Sequence, residues 1–394
     1  MMALSGRLSA RRRSVIAAAM AADPRHRPLF ITHEIYRHSQ LGPRHPLSIP
    51  RVSVLTDLCD ALGWLAPDAV VEAPTASPEE LWRFHHPAYI AALQRAEATG
   101  TVSREERERF RLGVDGNPLF AEIFRRPATS AGGVMAAARL LARGGIVHCP
   151  PGGTHHGRPA RASGFCYVND CVLGILTWRE LGLSRIVYLD IDAHHGDGVQ
   201  DAFAGDPAVL MISVHEAKRW PFSGAASDDA GGNACNLPVP AGFNDSEMRF
   251  LLHEVILPRI AAFRPEAIML QCGADGLAED PQAKLLLSNN AHREVVESLI
   301  GLAPRLLVLG GGGYHPYAVA RCWALVWATL NGFRVPEPLP EAAQAVLRGL
   351  SYRGLNGRKP PEHWLTRLAD APREGPVRPE IRALAEYVLE ERPV

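Results

Sequence analysis

The segment Asp190-Ile191-Asp192-Ala193-His194-His195-Gly196-Asp197 gathers three carboxylates and two imidazoles within one short stretch. It follows the apolar run Ile186-Val187-Tyr188-Leu189, which reads as a strand buried in a parallel sheet. Alternation along an extended backbone puts Asp190, Asp192 and His194 on one side of it. The carboxyl end of a parallel strand is where open α/β sheets place their ligands. Carboxylate oxygen together with imidazole nitrogen suits a divalent metal such as zinc. A lone Asp-x-Asp after a strand is more often a solvated turn, but the density of ligand types here favours a metal site. A metal held by two carboxylates and one imidazole keeps positions open for water and for a carbonyl oxygen.

Three further segments carry chemistry-bearing residues after apolar runs. Gly152-Gly153-Thr154-His155-His156-Gly157 sets two adjacent histidines among glycines. Three readings fit that pair: surface histidines, a second pair of metal ligands, or a general acid/base pair titrating near neutrality. In the last case each imidazole needs an orienting carboxylate. Asp190 and Asp197 are spare acids once Asp192 and His194 are taken as ligands. In Gln271-Cys272-Gly273-Ala274-Asp275-Gly276, Asp275 could complete a three-ligand site, although Gly and Asp also make ordinary turns at strand ends. Gly310-Gly311-Gly312-Gly313-Tyr314 lacks the Lys-Ser/Thr of a phosphate loop. It reads either as backbone passing close to a ligand, with Tyr314 supplying a hydroxyl donor, or as a glycine-rich turn with a packing tyrosine.

The elements that must position these residues alternate. Strand patterns fall at 29–32, 145–149, 185–190, 209–214, 267–272 and 305–309. Helical spacing links Val52, Leu55, Leu58, Cys59 and Leu62. Ser77-Pro78-Glu79-Glu80 is a capping box that opens another helix, and Asp245 starts one running toward Ala261. Such alternation predicts an α/β domain with a mainly parallel central sheet and helices on both faces. We expect an N-terminal extension at 1–27, a catalytic domain at 28–333, and a C-terminal appendage at 334–394 after the Pro-rich stretch Val335-Pro336-Glu337-Pro338-Leu339-Pro340. The appendage is expected either to pack on the domain or to be loosely attached.

An apolar fraction of 47% in 394 residues is ample for a sizeable core. Lys+Arg and Asp+Glu are both 42, a balance that argues against a dedicated nucleic-acid binder. No window has the length of a membrane span. The stretch Arg11 to Ala22 has the outline of a signal or transit peptide, but its apolar part is short and Ala-dominated. The seven cysteines are scattered and contain no Cys-x-x-Cys, which fits reduced thiols in a cytoplasmic enzyme.

Taken together, Pro151 to His156, Gly164 to Asp170, Asp190 to Gln200, Gly273-Ala274-Asp275 and Gly310 to Trp323 resemble the histone deacetylase family. The likeness is to bacterial acetoin-utilisation-type deacetylases close to class I, and it covers about residues 30 to 333 in the family's order. It implies an arginase/deacetylase-like three-layer fold and one catalytic zinc held by Asp192, His194 and Asp275. It implies the pairs His155–Asp190 and His156–Asp197, and Tyr314 polarising the amide carbonyl. A structural potassium ion would be enclosed by Asp190, the backbone of Asp192 and His194, and the region of Ser213 and Val214, and Phe203 would belong to a second monovalent-cation region. Gly164 and Phe165 match one wall of an acyl-lysine tunnel and Trp220 the opposite wall. Asp115 corresponds to a rim acid that holds the substrate backbone, and Arg51 to an acetate-release region. Gln282 departs from the pattern: this rim position is usually apolar in lysine deacetylases and often Glu in acetylpolyamine enzymes.

The expected substrate is therefore an acetylated protein or a small acetylated amine, with no nucleic acid or membrane partner. The leading reading is a zinc-dependent lysine deacetylase, and the nearest alternative an acetylpolyamine amidohydrolase. A binuclear manganese ureohydrolase needs more metal-binding acids than Ala274-Asp275-Gly276-Leu277 supplies. A non-catalytic acyl-lysine or polyamine binding module is opposed by His155, His156 and Tyr314.

Overall fold

The computed structural model describes residues 27–114 and 116–391. The expected extension at 1–27 lies outside the described residues except for its last position, and so does Asp115. Eight parallel strands form one sheet in the order β2-β1-β3-β8-β7-β4-β5-β6. They are β1 (Leu29–Thr32), β2 (Val70–Glu72), β3 (Gly145–Cys149), β4 (Ile186–Asp190), β5 (Val209–Glu216), β6 (Ala234–Val239), β7 (Ala267–Gln271) and β8 (Arg305–Leu309). The architecture is the expected α/β one, a parallel sheet between helices on both faces.

Both faces of the sheet are covered, and the strand sequences show why. Successive side chains point to opposite faces. Val187, Leu189, Ile268, Leu270, Leu306 and Val308 enter one buried cluster. Their neighbours Ile186, Tyr188, Met269, Leu307 and Leu309 enter the other. Continuous apolar runs are what a sheet buried on both sides requires. The first cluster is closed by α1 (Val52–Ala61) and by helices that come later in the chain. The second is closed by α2 (Arg125–Leu140), α3 (Asp170–Glu180) and α4 (Asp197–Phe203). The later helices of the first face are α5 (Asn289–Leu299), α6 (Pro316–Asn331), α7 (Glu341–Arg348) and α8 (Pro379–Glu391). Leu339, Leu347, Leu368, Ile381 and Val388, all beyond residue 334, belong to the same buried cluster as the sheet. Of the two arrangements expected for the C-terminal segment, these contacts are those of a packed one.

The capping box at Ser77 forms, but its helix is a single turn, Pro78–Leu81. The helix from Asp245 continues through a π-helical turn at Leu252–Ile256 to Phe263. Two strands carry no expectation from sequence. β2 is three residues long and partly exposed, and β6 contains Asn236 and Pro238. Both are edge strands, where a missing proline N–H costs no ladder bond on the open side. Four neighbouring central strands, β3, β8, β7 and β4, deliver all four chemistry-bearing segments from their carboxyl ends.

Candidate metal centre and active site

Asp192, His194 and Asp275 each offer a ligand atom, and these atoms lie within 4.8 Å of one another. They are held by backbone N–H groups and by one side-chain amide. Asp192 Oδ2 accepts from the Gly312 N–H at 2.7 Å and from Gln271 Nε2 at 2.8 Å. Asp275 Oδ1 accepts from the Ala193 N–H at 2.9 Å. His194 Nδ1 stands 2.8 Å from Asp275 Oδ2 and 3.3 Å from Asp192 Oδ1. The glycines on either side have a steric reason. A Cβ on Gly273 would lie 2.1 Å from Asp192 Oδ2, and one on Gly312 equally close, at 2.1 Å, to Asp275 Oδ2. The backbone thus passes against both carboxylates.

The electrostatics of this cluster call for a cation. Burial and the charge of Asp192 push the Asp275 carboxyl up to about 6. Burial works against a charged His194 too, yet its contacts with Asp192 and Asp275 push it up to about 10. Two buried carboxylates facing one imidazole form an oxygen–nitrogen–oxygen donor set of the kind that zinc takes.

The two histidines of the glycine-rich loop behave differently from one another. His155 Nδ1 lies 2.8 Å from Asp190 Oδ2, which also accepts from the Tyr188 hydroxyl at 2.7 Å. His156 Nδ1 lies 2.7 Å from Asp197 Oδ1, and Arg158 pairs with the other oxygen of that carboxylate. The Nε2 atoms are on the far side of each ring from these carboxylates; that of His155 is 3.9 Å from Asp192 Oδ1. Burial opposes a charged His155, but Asp190 and Asp192 outweigh it and push the ring up to about 9. Burial and the neighbouring His155 charge push His156 down to about 3. The two adjacent rings are thus pushed in opposite directions by their surroundings.

An outer cavity of ≈ 720 Å³ leads to the cluster, lined by Phe165, Trp220, Gln282, His156, His194 and Tyr314 among others. Gly164 also lines it, and packs so closely on Trp220 that a Cβ there would lie 2.3 Å from the ring. The backbone carbonyl of Gln282 accepts from Arg219 at 2.6 Å, and Arg219 is paired with Glu216. An inner cavity of ≈ 120 Å³ shares Phe165 and Tyr314 and extends past Asp192 to Arg51 and Arg126. Arg51 donates to the Gly313 carbonyl at 3.3 Å and lies 5.0 Å from the Trp323 ring centre. Ser213 pairs in register with Asp190 across β4 and β5, with Val214 next along the strand. Phe203, at the end of α4, is buried.

Several supporting residues had no role assigned from sequence. Asp170 accepts from the N–H groups of Gly153 at 2.9 Å and Thr154 at 3.0 Å, and from Ser130 Oγ at 2.6 Å. Asn169 caps α3 and donates to the carbonyls of His155 at 3.2 Å and Gly157 at 3.0 Å. Asn169-Asp170 before an apolar helical run is a legible cap signal, but its hold on the histidine loop is not. Asp280 accepts from the Tyr314 N–H at 2.6 Å and so fixes the tyrosine's loop.

A histone deacetylase domain model matches residues 45–330. The chain is 38% identical over 317 residues to a putative histone deacetylase 2 of Caenorhabditis elegans, covering 78% of this chain and 62% of that protein. It is 37% identical over 309 residues to histone deacetylase 9 of Arabidopsis thaliana, covering 76% of this chain and 72% of that one. Against histone deacetylase 8 of Xenopus tropicalis the figures are 34% over 299 residues, 74% and 80%. The chain therefore spans less than two thirds of the length of the nematode protein. The crystal structure of an HDAC homolog from Aquifex aeolicus superposes with a TM-score of 0.87 at 35% identity, covering 92% of this chain and 99% of that one. A structure of an HDAC homolog complexed with SAHA gives a TM-score of 0.87 at 35% identity. Among the described residues no helix is long and apolar enough to cross a membrane.

Proposed function

The chain belongs to the histone deacetylase family, and from that premise we propose that it is a zinc-dependent hydrolase removing acetyl or related acyl groups from lysine side chains of proteins. The observation that carries the reading is the convergence of Asp192, His194 and Asp275 at the end of a cavity also lined by His156 and Tyr314. Asp192, His194 and Asp275 would hold the zinc ion. Once bound, it would acidify a water molecule and polarise the amide carbonyl.

The chain's own residues do the rest. Phe165 and Trp220 line the approach, where an acyl-lysine side chain would exchange water for ring surface. His156 takes the proton of the attacking water at Nε2, its Nδ1 oriented by Asp197. His155, tied to Asp190, contributes a charge beside it. The Tyr314 hydroxyl donates to the carbonyl oxygen, most strongly as negative charge develops there. His156 then returns the proton to the leaving amine. Potassium beside Asp190, Ser213 and Val214 is proposed as a structural ion, with no catalytic step.

Gln282 puts no carboxylate at the mouth, so Coulomb attraction for a polycation is absent at that position. We therefore place protein lysine ahead of acetylpolyamines. The seven free, buried cysteines support a cytoplasmic setting. The test is kcat/KM of zinc-loaded protein on acetyl-lysine peptides, longer acyl-lysine peptides, acetylspermidine and acetylputrescine. A clear preference for the acetylpolyamines would replace this reading with the polyamine one.

A further inference from the structure

Phe165, in the wall of the outer cavity, has a backbone φ of +67°. Left-handed backbone is uncommon for any non-glycine residue and an outlier for a bulky one. The reason is local. Ser163 and Cys166 exchange both backbone hydrogen bonds, at 3.0 and 2.8 Å, around Gly164 and Phe165. Gly164 has φ +53°, so both central residues are left-handed. Turns of this hand favour Asn or Gly at both central positions. A phenylalanine at the second position holds only if its surroundings fix it.

The fixing comes from a separate segment. Asn117 Oδ1 accepts the Phe165 N–H at 3.0 Å, and Asn117 is 3% exposed. Asn117 is itself tied: its N–H donates to the Val114 carbonyl at 2.8 Å, and its carbonyl accepts from Gly113 at 2.7 Å. Next to it, Gly116 lets the Phe165 ring approach, because a Cβ there would lie 2.5 Å from Cε1. The His45 ring packs edge-on to Phe165 at 4.5 Å, and its Nε2 lies 2.7 Å from the Gly116 carbonyl. One face of the ring is thus set by Gly116 and His45, and the backbone beneath it by Asn117.

We propose that Asn117 is a positioning residue for the substrate tunnel: its side-chain carbonyl holds Phe165 left-handed and so sets the width between Phe165 and Trp220. The inference rests on the acyl-lysine reading of the site. Without that acceptor the Phe165 N–H loses its partner and the turn relaxes, which moves the ring. A wall out of place penalises the small acetyl substrate, which needs close contact, more than a longer acyl chain, which fills a wider space.

The experiment compares acetyl-lysine and butyryl-lysine peptides of one sequence in Asn117→Ala, Asn117→Asp and Phe165→Gly. Asn117→Ala is expected to lower the acetyl/butyryl kcat/KM ratio at least five-fold, mainly through KM for the acetyl peptide. Asn117→Asp keeps the oxygen acceptor and is expected to restore the ratio. In a Phe165→Gly background, where the turn needs no holding, Asn117→Ala is expected to leave the ratio unmoved. This background also serves if Asn117→Ala alone is too unstable to purify. Equal losses on both peptides, or no rescue by Asp, would overturn the proposal. A crystal structure of Asn117→Ala with Phe165 still near +67° would overturn it whatever the assay reads. Wild-type protein that turns over neither peptide contradicts the acyl-lysine reading instead, and the crystal structure still decides the role of Asn117.

Discussion

A Cβ placed on Gly312 would stand 2.1 Å from Oδ2 of Asp275, less than any two unbonded heavy atoms tolerate. The glycine is therefore part of the metal site although it contributes no side chain. Its N–H also donates to Asp192 at 2.7 Å, so one residue touches both carboxylates. Gly312→Ala should displace Asp275 and cut zinc affinity at least ten-fold, the lower end of what losing a supporting contact costs. Zinc titration with a competing chelator reads this out. Unchanged affinity would mean that the loop yields at no cost and does not shape the site.

Proton transfer is the second expectation. His156→Ala removes the proposed base and leaves Asp192, His194 and Asp275 untouched. Turnover should fall by roughly 10²–10⁴-fold, the usual contribution of a positioned acid/base group. Zinc content, measured by atomic absorption, should stay at the parent level. Near-parent turnover would move the role to His155.

Tyr314 supplies the third. Its loop is pinned by Asp280, and its ring packs edge-on to Phe165 at 5.9 Å. Tyr314→Phe keeps the ring and removes the hydroxyl. Loss of one oxyanion donor costs about 10²–10³ in kcat. The thermal midpoint and metal content should barely move. A parent-like kcat would reduce Tyr314 to a packing residue.

Outside the metal cluster and the cavities that lead to it, His148 is expected to make stability depend on pH. It is fully buried between Phe30 and Trp327, and burial pushes it down to about 4 from an ordinary 6.5. A depressed histidine stabilises the fold fully above its unfolded pKa. That contribution is lost as pH falls from about 6.5 toward 4, because only the unfolded chain takes up the proton. The loss approaches about 3 kcal/mol at the acid end, from about 1.4 kcal/mol per pH unit. His148→Phe cannot titrate, so urea denaturation at pH 7 and 4.5 should show it gaining on the parent protein as pH drops. Parallel losses in the two proteins would assign the acid sensitivity elsewhere.

The parts of this structure that were legible in the sequence are those with short-range causes. β3, β4, β7 and β8 are apolar on both faces, so their runs stand out, and their bounds moved by a residue at most. β2 and β6 carry no such signal because an edge strand is apolar only in part. Asp192 and His194 are neighbours in sequence, but their meeting with Asp275 depends on β7 lying beside β4. That adjacency joins strands 82 residues apart at Asp275, as in the Ala193–Asp275 bond. The residues alone left the partners of His155 and His156 open; the family resemblance supplied them. Gln271 and Arg158 act on groups brought to them by the fold, and nothing in their own neighbourhoods marks them; Asp170 is legible as part of a helix start, but its hold on Gly153 and Thr154 is not. Asn117 is of the same kind, since its bond to Phe165 crosses 48 residues.

The most direct test of the account is turnover of an acetyl-lysine peptide by metal-free protein titrated with zinc. Activity should rise from background, saturate at about one zinc per chain, and remain at background in Asp275→Ala at every zinc concentration. Full turnover by the metal-free protein, or parent-like activity in Asp275→Ala, would contradict it.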